Sequence, residues 1–168
     1  MNEDLLLRPL DESDEADVRA VLQSQAAYTE RVTGLPPGPA DALSLLLSRP
    51  PGVADDDKAV FGAQLGGRLA AVVDVLRSWP DPRTVHVGLL LVHRGLEGRG
   101  VGRRTHELLV ERASRWPGLD RLRLAVVQTN AEVEGFWRAL GYTPTGEAKP
   151  YRYAALQSEA RIFTRPLP

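Results

Sequence analysis

The spacing of apolar positions changes several times along the chain, and each change predicts a new element. LLLRPL (5–10) predicts a short first strand. Over 11–34, Val18, Val21, Leu22, Gln25, Thr29 and Val32 fall near helical spacing. Asp11 or Ser13 offers an N-cap, acids fill the first turn, and Gly34 ends the segment. PPGP interrupts the chain, and Ala42 to Leu47 predict a second, short helix that stops at RPPG. The acidic VADDDK (53–58) reads as a solvated loop. AVFGAQL and RLAAVVDVL read as two strands joined by a Gly66-Gly67 hairpin turn.

WPDPR makes another turn before TVHVGLLLV (84–92), an almost wholly apolar run that predicts a strand covered on both faces. Val101, Thr105, Leu108, Leu109, Arg112 and Trp116 then keep a helical period until Pro117-Gly118. The same period puts His106 on the helix surface. RLRLAVV (121–127) predicts a strand, AEVEGFWRAL a short helix closed by Gly141, and EARIFTRPL (159–167) a closing strand. The order is β-α-α-β-β-β-α-β-α-β-β, an α/β chain with a mixed sheet and helices on its faces. No repeat, low-complexity tract or linker divides it, so residues 1–168 read as one domain.

Composition narrows the chemistry. The 168 residues are 43% hydrophobic and 26% charged, as in an ordinary globular protein. With 21 basic and 22 acidic residues the net charge is −1, which argues against a nucleic-acid partner. There is no cysteine, which excludes disulfides, thiol catalysis and thiolate metal sites. His86, His93 and His106 show no metal-ligand pairing, so no metal is expected. The acidic start MNEDLLLRPL has too short an apolar run for a signal peptide or membrane span, which makes the cytoplasm the default compartment.

The most informative stretch is HVGLLLVHRGLEGRGVGRRTHELL (86–109), where Gly98, Gly100 and Gly102 stand between a strand and a helix. Glycines allow positive φ and close backbone approach, so several N–H groups can converge on one point at the helix N-terminus. That suits a phosphate or pyrophosphate, with Arg99, Arg103 and Arg104 adding charge. The same glycines would also serve tight strand-to-helix packing alone. No Lys follows them, as a nucleoside-triphosphate loop requires. The spacing is G-x-G-x-G, whereas a dinucleotide fingerprint is G-x-G-x-x-G.

VHRGLEGRGVGRRTHELL resembles the acetyl-CoA loop of the GNAT superfamily of N-acetyltransferases, [QR]-x-x-G-x-[GA] after a strand. Glu97 replaces the usual Gln or Arg. A second GNAT signature, N-x-x-A-x-x-F-Y-x-x-x-G-F, has its counterpart in NAEVEGFWRALGY, with Asn130, Phe136, Gly141 and Tyr142 matching. One helix and one strand separate the two motifs, and the resemblance spans essentially the whole chain. It implies a mixed, mostly antiparallel sheet flanked by helices, with a splayed parallel strand pair at 84–92 and 121–127.

It also implies transfer of an acetyl group from acetyl-CoA, as co-substrate, to a primary amine of a small molecule or protein. The alternative is a non-catalytic acyl-CoA-binding or regulatory module, which Trp137 at the usual Tyr position favours. By position, the backbone of Leu90, Leu91 and Val92 would pair with the pantetheine as an added strand would. Glu97, Gly98, Arg99, Gly100, Val101, Gly102 and Arg103 would hold the pyrophosphate. Asn130 would bond the cofactor or cap the following helix, and Phe136 and Trp137 would flank the thioester. An indole donates a hydrogen bond but cannot serve as the acid for the leaving thiolate, so Tyr142, or else Tyr151 or Tyr153, stands in. His86 falls where some relatives carry a glutamate base, and an imidazole suits that role. Tyr28, Glu30 and Arg31 lie in the acceptor region. A homodimer is a common state in the family.

Overall fold

The computed structural model describes residues 4–168, so the first three residues of the MNEDLLLRPL stretch lie outside the described part. The elements are β1 (Leu6–Pro9), α1 (Glu15–Ser24), α2 (Ala26–Thr33), α3 (Asp41–Leu47), β2 (Lys58–Leu65), β3 (Arg68–Arg77) and β4 (Thr84–Val92). They continue with α4 (Val101–Ala113), β5 (Arg121–Val127), α5 (Glu134–Ala139), β6 (Thr143–Tyr153) and β7 (Leu156–Pro166). The strands form one seven-stranded sheet in the order β1-β2-β3-β4-β5-β7-β6. Every neighbouring pair is antiparallel except β4 and β5.

Alternation along the strands fills two apolar layers. Phe61, Val73, Val75, Val87, Leu124 and Phe163 face α4 and α5, where Leu109, Ala113 and Trp137, with Tyr142 just after α5, meet them. Val60, Val72 and Leu91 face Val18, Val21 and Leu22 of α1 and Ala42 and Leu46 of α3. Each fully buried side chain of the larger apolar types contributes about 1.5–3 kcal/mol.

Three local expectations need correction. The segment 11–34 is two helices: α1 stops at Ser24, and Gln25 (φ −115°, ψ 41°) breaks the axis before α2. No Gly or Pro marks the break. It is made by tertiary hydrogen bonds, from Gln25 Nε2 to the Val92 carbonyl (2.8 Å) and to Glu97 Oε1 (2.6 Å). Asp11 does cap the segment, but through a 3₁₀ turn at Glu12–Asp14.

His106 is fully buried, because the inward stripe of α4 is broad enough to take Thr105 and His106 together with Leu109 and Val110. Asn130 does not cap α5. It lies inside a 3₁₀ turn (Gln128–Val133), and its side-chain oxygen accepts from Arg31 Nε at 2.9 Å.

Candidate active site

The parallel pairing of β4 with β5 lasts three rungs, from Thr84 opposite Arg121 to His86 opposite Arg123. Beyond it β4 bulges: Asp74 of β3 pairs with Leu89 and Val75 with Val87, which leaves Gly88 as the extra residue. A Cβ at Gly88 would meet Asp74 Oδ2 at 3.1 Å, so the bulge favours glycine. From here the strands part. The β5-facing backbone of β4 beyond His86 has no strand partner and is free to pair with an extended ligand.

The gap opens into a cavity of about 740 Å³. One wall is Val87 to Val92, the other Leu124 to Val127 with Val133, Phe136 and Trp137, and α2 contributes Tyr28, Arg31 and Val32. Its far end is the loop before α4. Gly98 and Gly100 have φ of 73° and 77°, and a Cβ on either would meet nothing within 4 Å. Their requirement is conformational, and any side chain there would project into open space. Gly102 differs, because a Cβ there would come within 3.3 Å of the Phe136 ring and 3.4 Å of Val92 Cγ2. With the thirteen-residue α4 starting at Val101, free amides and the positive helix end meet at one mouth.

Of the residues expected to hold the cofactor, Leu90, Leu91, Val92, Glu97, Gly98, Gly100, Val101, Gly102, Arg103, Asn130, Phe136 and Trp137 all line this cavity. Arg99 is exposed and stands off the wall, and Arg104 turns away to Glu107. Gln25 is the contributor that the sequence did not single out as functional. By holding Glu97 and the Val92 carbonyl, it fixes the loop against the end of β4. Across the mouth, Arg31 joins α2 to the turn before α5 through Asn130 and Glu132. His93 is structural, its Nδ1 accepting from Gly95 N at 3.1 Å.

Of the two expected catalytic side chains, Tyr142 stands off the cavity wall and His86 lies on it. Tyr142 is buried away from the wall, with its hydroxyl 2.9 Å from His106 Nε2. It packs edge-on to Trp137 and cannot reach a thiolate in the cavity. Burial raises its pKa.

His86 does line the closed end of the gap. Its Nδ1 accepts a hydrogen bond from Arg123 Nη1 at 3.0 Å, since a guanidinium only donates. Burial, aided by the Arg123 charge, lowers its pKa to about 3. The ring is therefore neutral, its one lone pair is occupied, and its Nε2 carries the hydrogen. In this state Nε2 donates and the Nδ1 lone pair is engaged by Arg123.

The tyrosines that do line the cavity are Tyr28 and Tyr151. Tyr151 donates to the Val32 carbonyl. Burial holds Tyr28 up at about 12, so its phenol stays protonated. Among the described residues, Glu97 is the one carboxylate on the wall, at the loop end. Glu30 is exposed and not on the wall.

A sheet that splays at a bulge beside a glycine turn on a helix N-terminus is the architecture of an acyl-CoA-dependent acyltransferase. The acetyltransferase (GNAT) family profile matches residues 23–142. The chain belongs to that family, whose acyl donor is acetyl-CoA, and is an acyltransferase. None of the curated proteins compared matches the sequence.

Among solved structures, an acetyltransferase from Thermus thermophilus is similar, with a TM-score of 0.77, 22% identity and 97% of each chain covered. Spermidine N-acetyltransferase from Vibrio cholerae, in complex with CoA and spermine, superposes with a TM-score of 0.76 at 15% identity, over 99% of this chain and 97% of that one. The ribosomal-protein-S18-alanine N-acetyltransferase of Escherichia coli gives 0.70 at 17% identity, over 98% and 94%. Among the described residues, no helix is long and apolar enough to cross a membrane.

Proposed function

We propose that the protein transfers the acetyl group of acetyl-CoA to a primary amine by direct attack. The observation that carries this reading is the gap beyond the His86–Arg123 rung, which runs unbroken to the Gly98–Gly102 amides. Similar folds that acetylate spermidine and a ribosomal-protein alanine support an amine as acceptor.

Acetyl-CoA supplies an activated thioester: a C–N bond forms, the C–S bond breaks, the amine loses a proton and the thiolate takes one. Leu90 to Val92 hold the pantetheine by backbone pairing. The amides of Gly98 to Arg103 hold the pyrophosphate, and Gln25 keeps that loop in register with β4. Phe136 and Trp137 exclude water from the thioester end. Tyr28, protonated and on the cavity wall, would be the hydrogen-bond donor to the leaving sulfur. Burial raises the Tyr28 phenol well above the ordinary range of a thiol, which disfavours full proton transfer. The thiolate therefore leaves as the anion and takes its proton from water, and the amine proton departs through water.

The test is thiol release from acetyl-CoA with a panel of primary amines, read beside a thermal shift with CoA alone. Amine-dependent thiol release supports the proposal. CoA binding with no release for any amine would instead favour a non-catalytic acyl-CoA module.

A further inference from the structure

Next to the cavity's closed end lies a buried cation without a counter-ion. Arg123 is 8% exposed, and among the described residues no carboxylate comes within ion-pair distance of it. Its guanidinium sits 5.5 Å over the Trp79 ring, and its one hydrogen bond goes to neutral His86. Two acids lie in its field, and both are committed elsewhere. Asp81 accepts from Thr84 Oγ1 (2.8 Å) and the Arg83 amide (2.9 Å), while exposed Glu147 pairs with Lys149.

A buried charge is costly unless an opposite charge or several hydrogen bonds compensate it. Here the protein supplies one hydrogen bond and, among the described residues, no ion pair, and the remaining guanidinium N–H groups stay open to solvent. Arg123 also dictates the tautomer of His86, a residue of the cavity wall, and leaves it an Nε2–H with no protein partner among the described residues. Trp79, packed edge-on at 4.9 Å, holds the ring in place. The closed end thus offers a donor backed by a full positive charge, and no acid to attract a polycation.

Resting on the acetyltransferase reading, we infer that the acceptor carries a carboxylate beside its primary amine, as an amino acid does. His86 Nε2–H takes the carboxylate, and Arg123 is the positioning residue that supplies the charge and the tautomer behind it. The same geometry leaves the amine pointing back up the gap toward the thioester. A cation beside the amine also favours its neutral, nucleophilic form.

The experiment compares amino acids with their methyl esters and their decarboxylated amines in the thiol-release assay. The free acids should exceed both analogues by about 10–100-fold in kcat/KM, the range for a hydrogen bond to a charged group. Arg123→Met and His86→Leu should erase the preference through the acceptor KM, with the acetyl-CoA KM unchanged. His86→Gln, whose amide can accept from Arg123 and donate outward, should keep it, which guards against variants that misfold. In ¹⁵N-histidine spectra, His86 should remain the neutral Nε2–H tautomer from about pH 5 to 9, well above its lowered pKa, and its Nε2 resonance should move when an amino acid is added to the CoA complex.

Esters or decarboxylated amines acetylated as well as the acids would overturn the inference while leaving the acetyltransferase reading intact. So would a preference that survives both Arg123→Met and His86→Leu. Absence of any CoA-induced thermal shift would instead remove the acetyltransferase reading itself.

Discussion

Acidification should destabilise the fold through His106. Its ring is fully buried, Nε2 is bonded to Tyr142, and Nδ1 has no partner. Burial first, and then the charges of Arg165 and Arg103, lowers its pKa to about 4 from the ordinary 6.5. The folded protein therefore resists a proton that the unfolded chain accepts. The stability contributed is fully present above pH 6.5 and is lost as pH falls through 6.5 toward 4. The full difference between those two values corresponds to about 3 kcal/mol, of which roughly 2.5 should be gone by about pH 4.5.

His106→Leu isolates this effect. At about pH 7.5 the variant should be less stable by about 1–3 kcal/mol, because the Tyr142 hydroxyl loses its partner. Between about pH 7.5 and 4.5 the gap between wild type and variant should close by roughly 2.5 kcal/mol, or about 5–10 °C in Tm for a chain of this size. The titration of His86 is common to both proteins and cancels. Urea unfolding at stepped pH measures the gap directly. A gap constant to within about 0.5 kcal/mol across that range would refute the placement of His106 in the core. Trp137 packs edge-on against both His106 and Tyr142, so CoA affinity should hold over that interval and fall only near pH 4, where the folded ring itself takes a proton.

Gly100→Val should keep the fold at a cost of about 1–2 kcal/mol for its positive φ and weaken CoA binding at least about tenfold, as read by thermal shift. Tyr142→Phe should lower stability by about 1–3 kcal/mol yet leave kcat unchanged, whereas Tyr28→Phe should lower kcat with little effect on Tm. Lys58→Met should strand the Asp74 carboxylate in the interior, with the ion pair of 2.6 Å lost and about 3–5 kcal/mol of stability with it in urea unfolding. With no side-chain base at the closed end, kcat/KM should rise with pH along the acceptor amine's own titration. A plateau set near pH 6.5 would reinstate an imidazole base.

Most of the order of elements was legible because the core strands and α4 carry their own periods, and the Gly66-Gly67 hairpin and the Gly141 turn carry their own chemistry; the exposed β6 carries none. The cavity loop was legible because positive φ at Gly98 and Gly100 and close packing at Gly102 all require glycine. What the sequence hid depends on contacts between distant residues. Nothing local interrupts helical spacing at Gln25; the break exists because its amide reaches Val92 and Glu97. His86 reads by position as a base, but its tautomer is set by Arg123, which lies thirty-seven residues away and beside it in the sheet. Tyr142 matches a motif, and the motif could not tell that its hydroxyl is spent on His106.

Backbone amide NMR during a CoA titration reports residue by residue where CoA binds. The largest shifts are predicted at Leu90 to Val92, Gly98 to Arg103 and Asn130, with the β6–β7 hairpin tip and α3 undisturbed. Saturable shifts that cluster elsewhere, leaving the β4 edge and the glycine loop unmoved, would contradict this CoA site.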